Sequence, residues 1–365
     1  MTSDVLAQPS RGFAGGIMKL FAHPLSKPVL ALAALLLLDL FCVPGFFHLE
    51  FKAGHLYGSV VDILNRAAPL LLAALGMTLV IATRGIDISV GAVVAISGTV
   101  AATLIGGSME MQHGVPVYVA HVALPLALAA ALGAALLCGA WNGVLVTVLK
   151  LQPIVATLIL MVAGRGLAQL VSDGQIVTVY YPPFFFLGGG YLFGLPFSLY
   201  LVAAVFCIAA LMLRKTALGL FLRAVGINPA AARLAGIHAG LLIFTVYVVC
   251  SLCAGLAGIL ICANVRSADA NNAGLLLELD AILAVTLGGT SLAGGDFSLA
   301  GTAIGALFIQ TLTFSIYSLG IAPEMNMIVK AVVVLLVCLA QSSESRRLLR
   351  QGLAHFGSGA KRGTP

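Results

Sequence analysis

Charge is what this sequence has least of. Only 9% of its 365 residues are Asp, Glu, Lys or Arg, where soluble domains carry about 25%. Too few charges remain to cover a water-facing surface, so soluble enzymes, secreted scaffolds and disordered linkers are excluded. Cysteine pairing is lacking as well. The 7 cysteines sit almost entirely inside apolar runs, at no spacing that suits zinc or a disulfide framework. Cys250-Ser-Leu-Cys253 has the spacing of a redox pair, but an apolar helix offers it neither water nor base, so these residues read as small packing groups. No G-x-x-x-x-G-K-[S/T] phosphate loop, His/Glu metal helix or nucleophile–base pair occurs. The chain is therefore not expected to be an enzyme, to bind a metal or cofactor, or to hold ATP by that route.

What is present is apolar sequence: 61% hydrophobic residues, a mean hydropathy of +1.10 and 41 glycines. Barrel strands would alternate lumen-facing and lipid-facing residues, whereas here unbroken apolar runs recur, which predicts an all-α, polytopic membrane bundle. The glycines suit close packing of membrane helices. A crossing needs about 20 apolar residues. Ten candidates follow along the chain, at Val29–Phe47, Ala67–Thr83, Ile86–Gly107, Val117–Leu149, Ile154–Val171, Ser198–Leu213, Leu241–Cys262, Ala281–Ala293, Leu299–Leu319 and Met325–Ala340. The fourth is overlong and the eighth short.

With ten crossings both termini lie on one side, and basic residues accumulate on the cytoplasmic side. Arg84, Lys150, Arg214, Lys215, Arg223, Arg233 and the basic residues of both tails fall together, against only Lys52, Arg66 and Arg266 opposite. Both termini are thus expected in the cytoplasm. Residues 1–28 form an N-terminal segment, 29–341 the membrane domain and 342–365 a tail. No A-x-A-like cleavage site follows the first run, so it is kept as an uncleaved span. The net charge of +6 suits anionic lipid and calls for no nucleic acid.

The cytoplasmic loop 214–238 has a specific layout. Gly226-Ile-Asn228-Pro229 predicts a turn with Asn228 as N-cap and Pro229 opening a short helix through Ala230, Ala231, Ala232 and Arg233, stopped at Gly236. Such a helix either docks into another protein's groove or merely closes the loop. At Gly85-Ile-Asp87-Ile-Ser89-Val-Gly91 two apolar runs meet with almost no loop. There Asp87 either caps the next helix or belongs to a gate whose carboxylate changes partners. Gly295-Asp296-Phe-Ser298 repeats the arrangement, with Asp296 as the expected cap.

Met77-Thr-Leu-Val-Ile-Ala-Thr-Arg-Gly85-Ile-Asp87-Ile-Ser89-Val-Gly91, the Gly226–Gly236 segment and Ala284-Val-Thr-Leu-Gly288-Gly-Thr-Ser-Leu-Ala-Gly-Gly295 together resemble the permease subunits of bacterial ABC sugar importers of the ribose, xylose and arabinose type. Within that family, Asp62-Ile-Leu-Asn65-Arg66-Ala-Ala-Pro69, Ile159-Leu-Met-Val-Ala-Gly164-Arg165-Gly166, Asp269-Ala-Asn271-Asn272-Ala-Gly274-Leu and Glu278-Leu-Asp280 are most similar to galactofuranose permeases. The resemblance implies a fold of the larger, ten-helix importer class, a location in the bacterial inner membrane and a second permease, paralogue or copy. It further implies ABC ATPase subunits that hold ATP-Mg and a periplasmic sugar-binding protein. In that scheme Gly226–Gly236 is the coupling helix. Arg84 departs from the pattern, standing where related permeases usually have a small residue.

Charges inside apolar runs each cost about 2.5–3.5 kcal/mol at mid-bilayer unless they face protein or water. Arg165 either braces neighbouring helices or lines the path; Asp39 and Lys330 read as structural counter-charges. A neutral sugar needs modest donors and acceptors along its route. Asn142, Gln152, Thr157, Gln169, Gln310 and Asn326 supply them, with Asp87, Ser89 and Arg165 as gate or path candidates, although polar groups in helices commonly bond only to one another. Tyr180-Tyr-Pro-Pro-Phe-Phe-Phe186 has the make-up of an interfacial belt. Asp269, Asn271, Asn272 and Glu278 form either a solvated loop or a contact for the binding protein. The rival from another class is an ion-coupled carrier using Asp39, Asp87 or Glu324, which would have no use for a docking helix.

Overall fold

The computed structural model describes residues 25–341 apart from 53, 107, 113 and 114, so the segments assigned to 1–28 and 342–365 lie almost wholly outside it. Each of the ten apolar runs overlies a helix. These are α1 (Ser26–Cys42), α2 (Ser59–Ala82), α3 (Val90–Ile105), α4 (Leu124–Thr147), α5 (Pro153–Val171), α7 (Phe197–Lys215), α10 (Ala239–Val265), α11 (Leu277–Leu287), α12 (Leu299–Ser318) and α13 (Pro323–Gln341). Three more helices lie between them, α6 (Pro182–Gly189), α8 (Leu218–Ile227) and α9 (Pro229–Leu234). The described residues thus hold thirteen helices rather than about ten. Six of them are long and apolar enough to cross a membrane.

Most runs have different limits from those expected, α2 beginning at Ser59 rather than Ala67, and two of the differences have a visible cause. The overlong fourth run opens in a hairpin of β3 (Ser108–Gln112) and β4 (Val115–Val119), and α4 starts only at Leu124 behind Ala123. β-branched and Pro residues around Val115-Pro-Val favour extended chain over helix. The short eighth run starts earlier than Ala281, because Glu278 and Asp280 already lie in the first turn of α11, where carboxylates meet the positive end of the helix dipole. Two further hairpins, β1 (Glu50–Lys52) with β2 (His55–Tyr57) and β6 (Tyr191–Leu192) with β7 (Leu195–Pro196), lie at the same end of the bundle as β3–β4. This hairpin end faces away from the basic end, which carries Arg84, Lys150, Arg214, Arg223 and Arg233.

The core is built around α2, whose residues from Ala67 to Ala82 are buried except for Pro69. It packs against α10, α12 and α11, while α10 in turn carries α4 and α3. Small residues make these contacts possible. A Cβ at Gly258 of α10 would stand 2.3 Å from the Val94 carbonyl of α3, so the two backbones approach as close as only glycine allows.

Candidate functional site

At the basic end three chain turns are tied together. The first is the α2–α3 turn, where Arg84 takes a left-handed backbone (φ +66°) usually left to glycine at the end of a helix. That conformation costs a non-glycine residue roughly 1–2 kcal/mol. Its guanidinium donates to the Ile227 carbonyl at the end of α8, a bond that offsets part of the cost. The second is the α8–α9 junction. Gly226 sits directly on the first turn, since a Cβ there would lie 2.0 Å from the Ala82 carbonyl. The third is the α11–α12 loop, whose Gly295 N–H donates to that same carbonyl at 3.0 Å. Arg223 of α8 lies over the Phe297 ring and reaches Asp296 at 3.9 Å.

Asp87, five residues beyond the α2 end, is fully buried. Its Oδ1 accepts the Ser89 N–H at 2.9 Å and the Ser89 hydroxyl at 2.6 Å; Asn142 of α4 donates to Ser89 Oγ at 2.8 Å. Thr157 of α5 accepts the Ile88 N–H at 3.1 Å and so holds the turn from the other side. Asp87, Ser89, Asn142 and Thr157 are therefore one constellation. Two α10 residues also belong to it, Tyr247, which sequence reasoning passed over, and Cys250, which it read as a packing group. Tyr247 and Cys250 lie beside the Asp87 carboxylate, Tyr247 as the lone phenol of a 27-residue apolar helix. Apart from the weak thiol donor of Cys250 beside Asp87, Asp87 Oδ2, Asn142 Oδ1, Tyr247 OH and Ser251 Oγ are buried without a hydrogen-bond partner among the described residues. Such groups cost about 1–3 kcal/mol each when left unsatisfied.

The short helix forms as its residues dictate. Asn228 Oδ1 accepts the Ala230 and Ala231 N–H groups at 3.0 and 3.1 Å, Pro229 opens α9, and Gly236 ends the segment at φ +84°. Ala232 is buried while Ala230, Ala231 and Arg233 are exposed, and Leu234 is 92% exposed at the tip. Gly226 corrects the docking assignment at one point: its α-carbon faces the chain's own α2, so it is a packing position and not a surface for a partner. Asp296 likewise is not the cap of α12. Ser298 caps it by accepting the Gly301 N–H at 3.1 Å, because Ser298 directly precedes the helix and Asp296 turns outward.

Between α10 and α11 the chain returns from the hairpin end without helix. After a two-residue pairing of β5 (Val177–Thr178) with β8 (Ser267–Ala268), residues 269–276 run inward until Gly274 meets Gly91 and Val94 in the first turns of α3. Backbone carbonyls in such a segment need donors. Arg165 supplies them, its Nη1 donating to the carbonyls of Ala270, Asn271 and Ala273 at 3.2, 3.2 and 2.7 Å. Gln169, one turn on, donates to Asn271 Oδ1. Asp269 accepts from Asn271 and Asn272 backbone N–H groups and from the Asn272 amide. These bonds, with the Asn272 amide foremost, hold its carboxyl below the usual aspartate range. Glu278 is 3% exposed and faces Gly91, which corrects its assignment to a surface contact; a buried carboxylate offers nothing to a docking protein.

The family described as branched-chain amino acid transport system / permease component matches residues 59–338. The chain belongs to that permease family. The permease is 50% identical over 331 residues to the galactofuranose transporter permease protein YtfT of Escherichia coli K12, covering 90% of this chain and 93% of that one. It is 39% identical over 322 residues to the ribose import permease protein RbsC of the same strain (87% and 94%). With the fructose import permease protein FruF of Bifidobacterium longum it shares 36% over 338 residues (91% of each). No solved structure matches. The matched region holds the Asp87 constellation, the Arg165 segment and α8–α9, and leaves α1 outside.

Other polar residues of the permease stand apart from these two clusters. Asn326 donates to the Tyr317 hydroxyl at 3.2 Å, on the outer helices α12 and α13. Lys330 pairs with Asp280 of α11 at 2.9 Å, not with Asp39. Asp39 is buried beside the Ser315 hydroxyl of α12, with no other partner for its carboxylate among the described residues. In the aromatic loop, Phe184 of α6 is fully buried and Arg266 lies over Phe185, so that loop packs on α10 as well as facing outward.

Proposed function

We infer that this permease is the membrane-spanning subunit of an ATP-driven importer in a bacterial inner membrane, carrying a monosaccharide inward, with galactofuranose the best-supported cargo. Ten crossings place both termini in the cytoplasm, and the basic end is then the cytoplasmic end. The ATPase subunits supply ATP-Mg, a periplasmic protein delivers the sugar, and a second permease completes the path. The 50% identity to a galactofuranose permease over nine-tenths of the chain supports the cargo.

One observation carries the ATP-driven mechanism. The α8–α9 junction is tied directly to the α2–α3 turn by Gly226 against Ala82 and by Arg84 on Ile227. A push on α9 by an ATPase therefore moves the turn that holds Asp87, and the unpartnered groups around Asp87 find partners in the shifted arrangement. Arg165 and its carbonyls shape the non-helical stretch whose Gly274 meets the first turns of α3, which supports reading both clusters as parts of one route. Asp269, Asn271 and Asn272 remain as the contact for the delivering protein.

A second reading, an ion-coupled carrier, draws on the buried carboxylates of Asp39 and Asp87. One experiment separates the two. The tagged chain is isolated from native membranes in mild detergent, and ATP hydrolysis stimulated by the sugar-binding protein is compared in wild type and Leu234→Asp, which charges the exposed tip of α9 without touching the fold. Co-isolation of an ATPase whose stimulation the substitution removes supports the importer. A chain that comes alone and moves sugar on an ion gradient without ATP overturns it.

A further inference from the structure

A cavity of about 330 Å³ opens at the hairpin end, between the start of α2, the hairpins β1–β2 and β6–β7, and Phe314 of α12. That volume is within the range of roughly 300–1,000 Å³ typical of small-molecule sites. Two hairpins build one wall together, the Leu56 N–H donating to the Gly194 carbonyl at 2.9 Å. Their rings cluster: Tyr57 and Tyr191 stand 5.4 Å apart at 49°, with His55 4.6 Å behind Tyr191. Burial, and then Tyr57 and Asp62 beside it, push the Tyr191 phenol up, so it stays a neutral donor.

The opposite wall is polar. Asp62 Oδ2 accepts Arg66 Nε at 2.9 Å, and Asn65 Oδ1 accepts the Ser198 hydroxyl. Asp62 Oδ1 and the Asn65 amide N–H groups are left without a protein partner among the described residues. An aromatic face, a free carboxylate oxygen and a free amide donor within two turns of one helix make a particular combination. Adjacent hydroxyls of a sugar ring give a proton to the carboxylate and accept one from the amide, while the ring's weakly positive C–H face lies on the negative face of a tyrosine. No basic side chain lines the cavity, because Arg66 is turned to Asp62 outside it. An amino acid would leave its carboxylate there without a cation.

We propose that this cavity is a binding site for a neutral cyclic monosaccharide, an outer station on the permease itself, with Tyr57, Tyr191, Asp62 and Asn65 as its contacts. The proposal deepens the importer reading and rests on it for the sidedness of the site. It gives a role to the Asp62–Pro69 block, which neither the Asp87 constellation nor α9 uses.

The test is ligand-observed saturation-transfer NMR on the full chain in lipid nanodiscs, with D-galactose, D-ribose, the open-chain hexitol sorbitol and L-leucine as probes. Uptake of the same sugars by the complete transporter is measured with the same variants. Both cyclic sugars are expected to receive saturation, and sorbitol and leucine not. Asp62→Ala is expected to weaken binding about tenfold or more, the effect of a lost hydrogen bond to a charged group, and Tyr191→Ala, which removes the stacking face, about fivefold or more. Tyr191→Phe, which keeps the ring, should stay within about twofold. Failure of both sugars to bind, binding that ignores the variants, or binding of leucine through the same residues each overturns the proposal, whatever uptake does. Absence of sugar uptake in the wild type instead defeats the importer reading, and the binding arm still decides the site.

Discussion

Asp87 fixes one oxygen on Ser89 and leaves the other bare, and this division separates what two substitutions do. Asp87→Asn keeps an acceptor for Ser89 and removes only the charge; it should fold normally and slow transport several-fold. Asp87→Ala leaves the buried N–H and hydroxyl donors of Ser89 without their acceptor, at about 1–3 kcal/mol each. Its thermal midpoint in detergent should fall clearly below that of Asp87→Asn, and equal midpoints would contradict the hydrogen-bonding scheme. Asp269 gives a pH signature of known sign. Its folded pKa is depressed below the ordinary value of about 3.9, so the stabilisation is fully present above that value and is lost as pH falls through the folded pKa. A melting series between wild type and Asp269→Asn should show the difference close as the medium is acidified.

At the scale of elements, α5 and the stretch 269–276 are one unit. Arg165→Met removes the donor of three carbonyls and should release that stretch, read as faster backbone hydrogen exchange in 269–276 with α2 and α10 unchanged. Arg165→Lys, a point charge without the planar fork, should restore protection only partly. Helices were legible in the sequence because apolar length is a local property: every apolar run overlies one. The start of α4 was not, since Val115-Pro-Val reads as apolar whether it lies in a strand or a helix. Glu278 and Asp280 were read as loop charges for the same reason. Their partners, Gly91 and Lys330, are remote in the chain, and burial produced by remote partners leaves no local mark. The α9 cap, by contrast, is spelled by Asn228-Pro229 alone, and it formed as spelled.

For the whole molecule, the decisive link is between the surface where force would arrive and the turn it would move. Arg84→Ala cuts the side-chain half of that link and leaves Gly226 against Ala82. Uptake should drop while ATP hydrolysis persists, a loss of coupling measured as more ATP spent per sugar carried. A proportional fall in both rates would show that Arg84 serves only the fold. Gly226→Trp is a poorer probe, because overpacking a backbone contact of this kind costs about 1–3 kcal/mol or more and disturbs α2 itself.

The ion pair between Lys330 and Asp280 also governs the order in which the chain can be made. α13 leaves the ribosome after α11 and α12, with a cation in its middle that lipid alone disfavours by about 2.5–3.5 kcal/mol. Its counter-charge lies on α11, synthesised fifty residues earlier and itself too short and too acidic to settle in lipid unaided. The two helices are therefore expected to leave the insertion machinery together, with α12 between them, so that residues 277–341 enter the bilayer as a preassembled three-helix package.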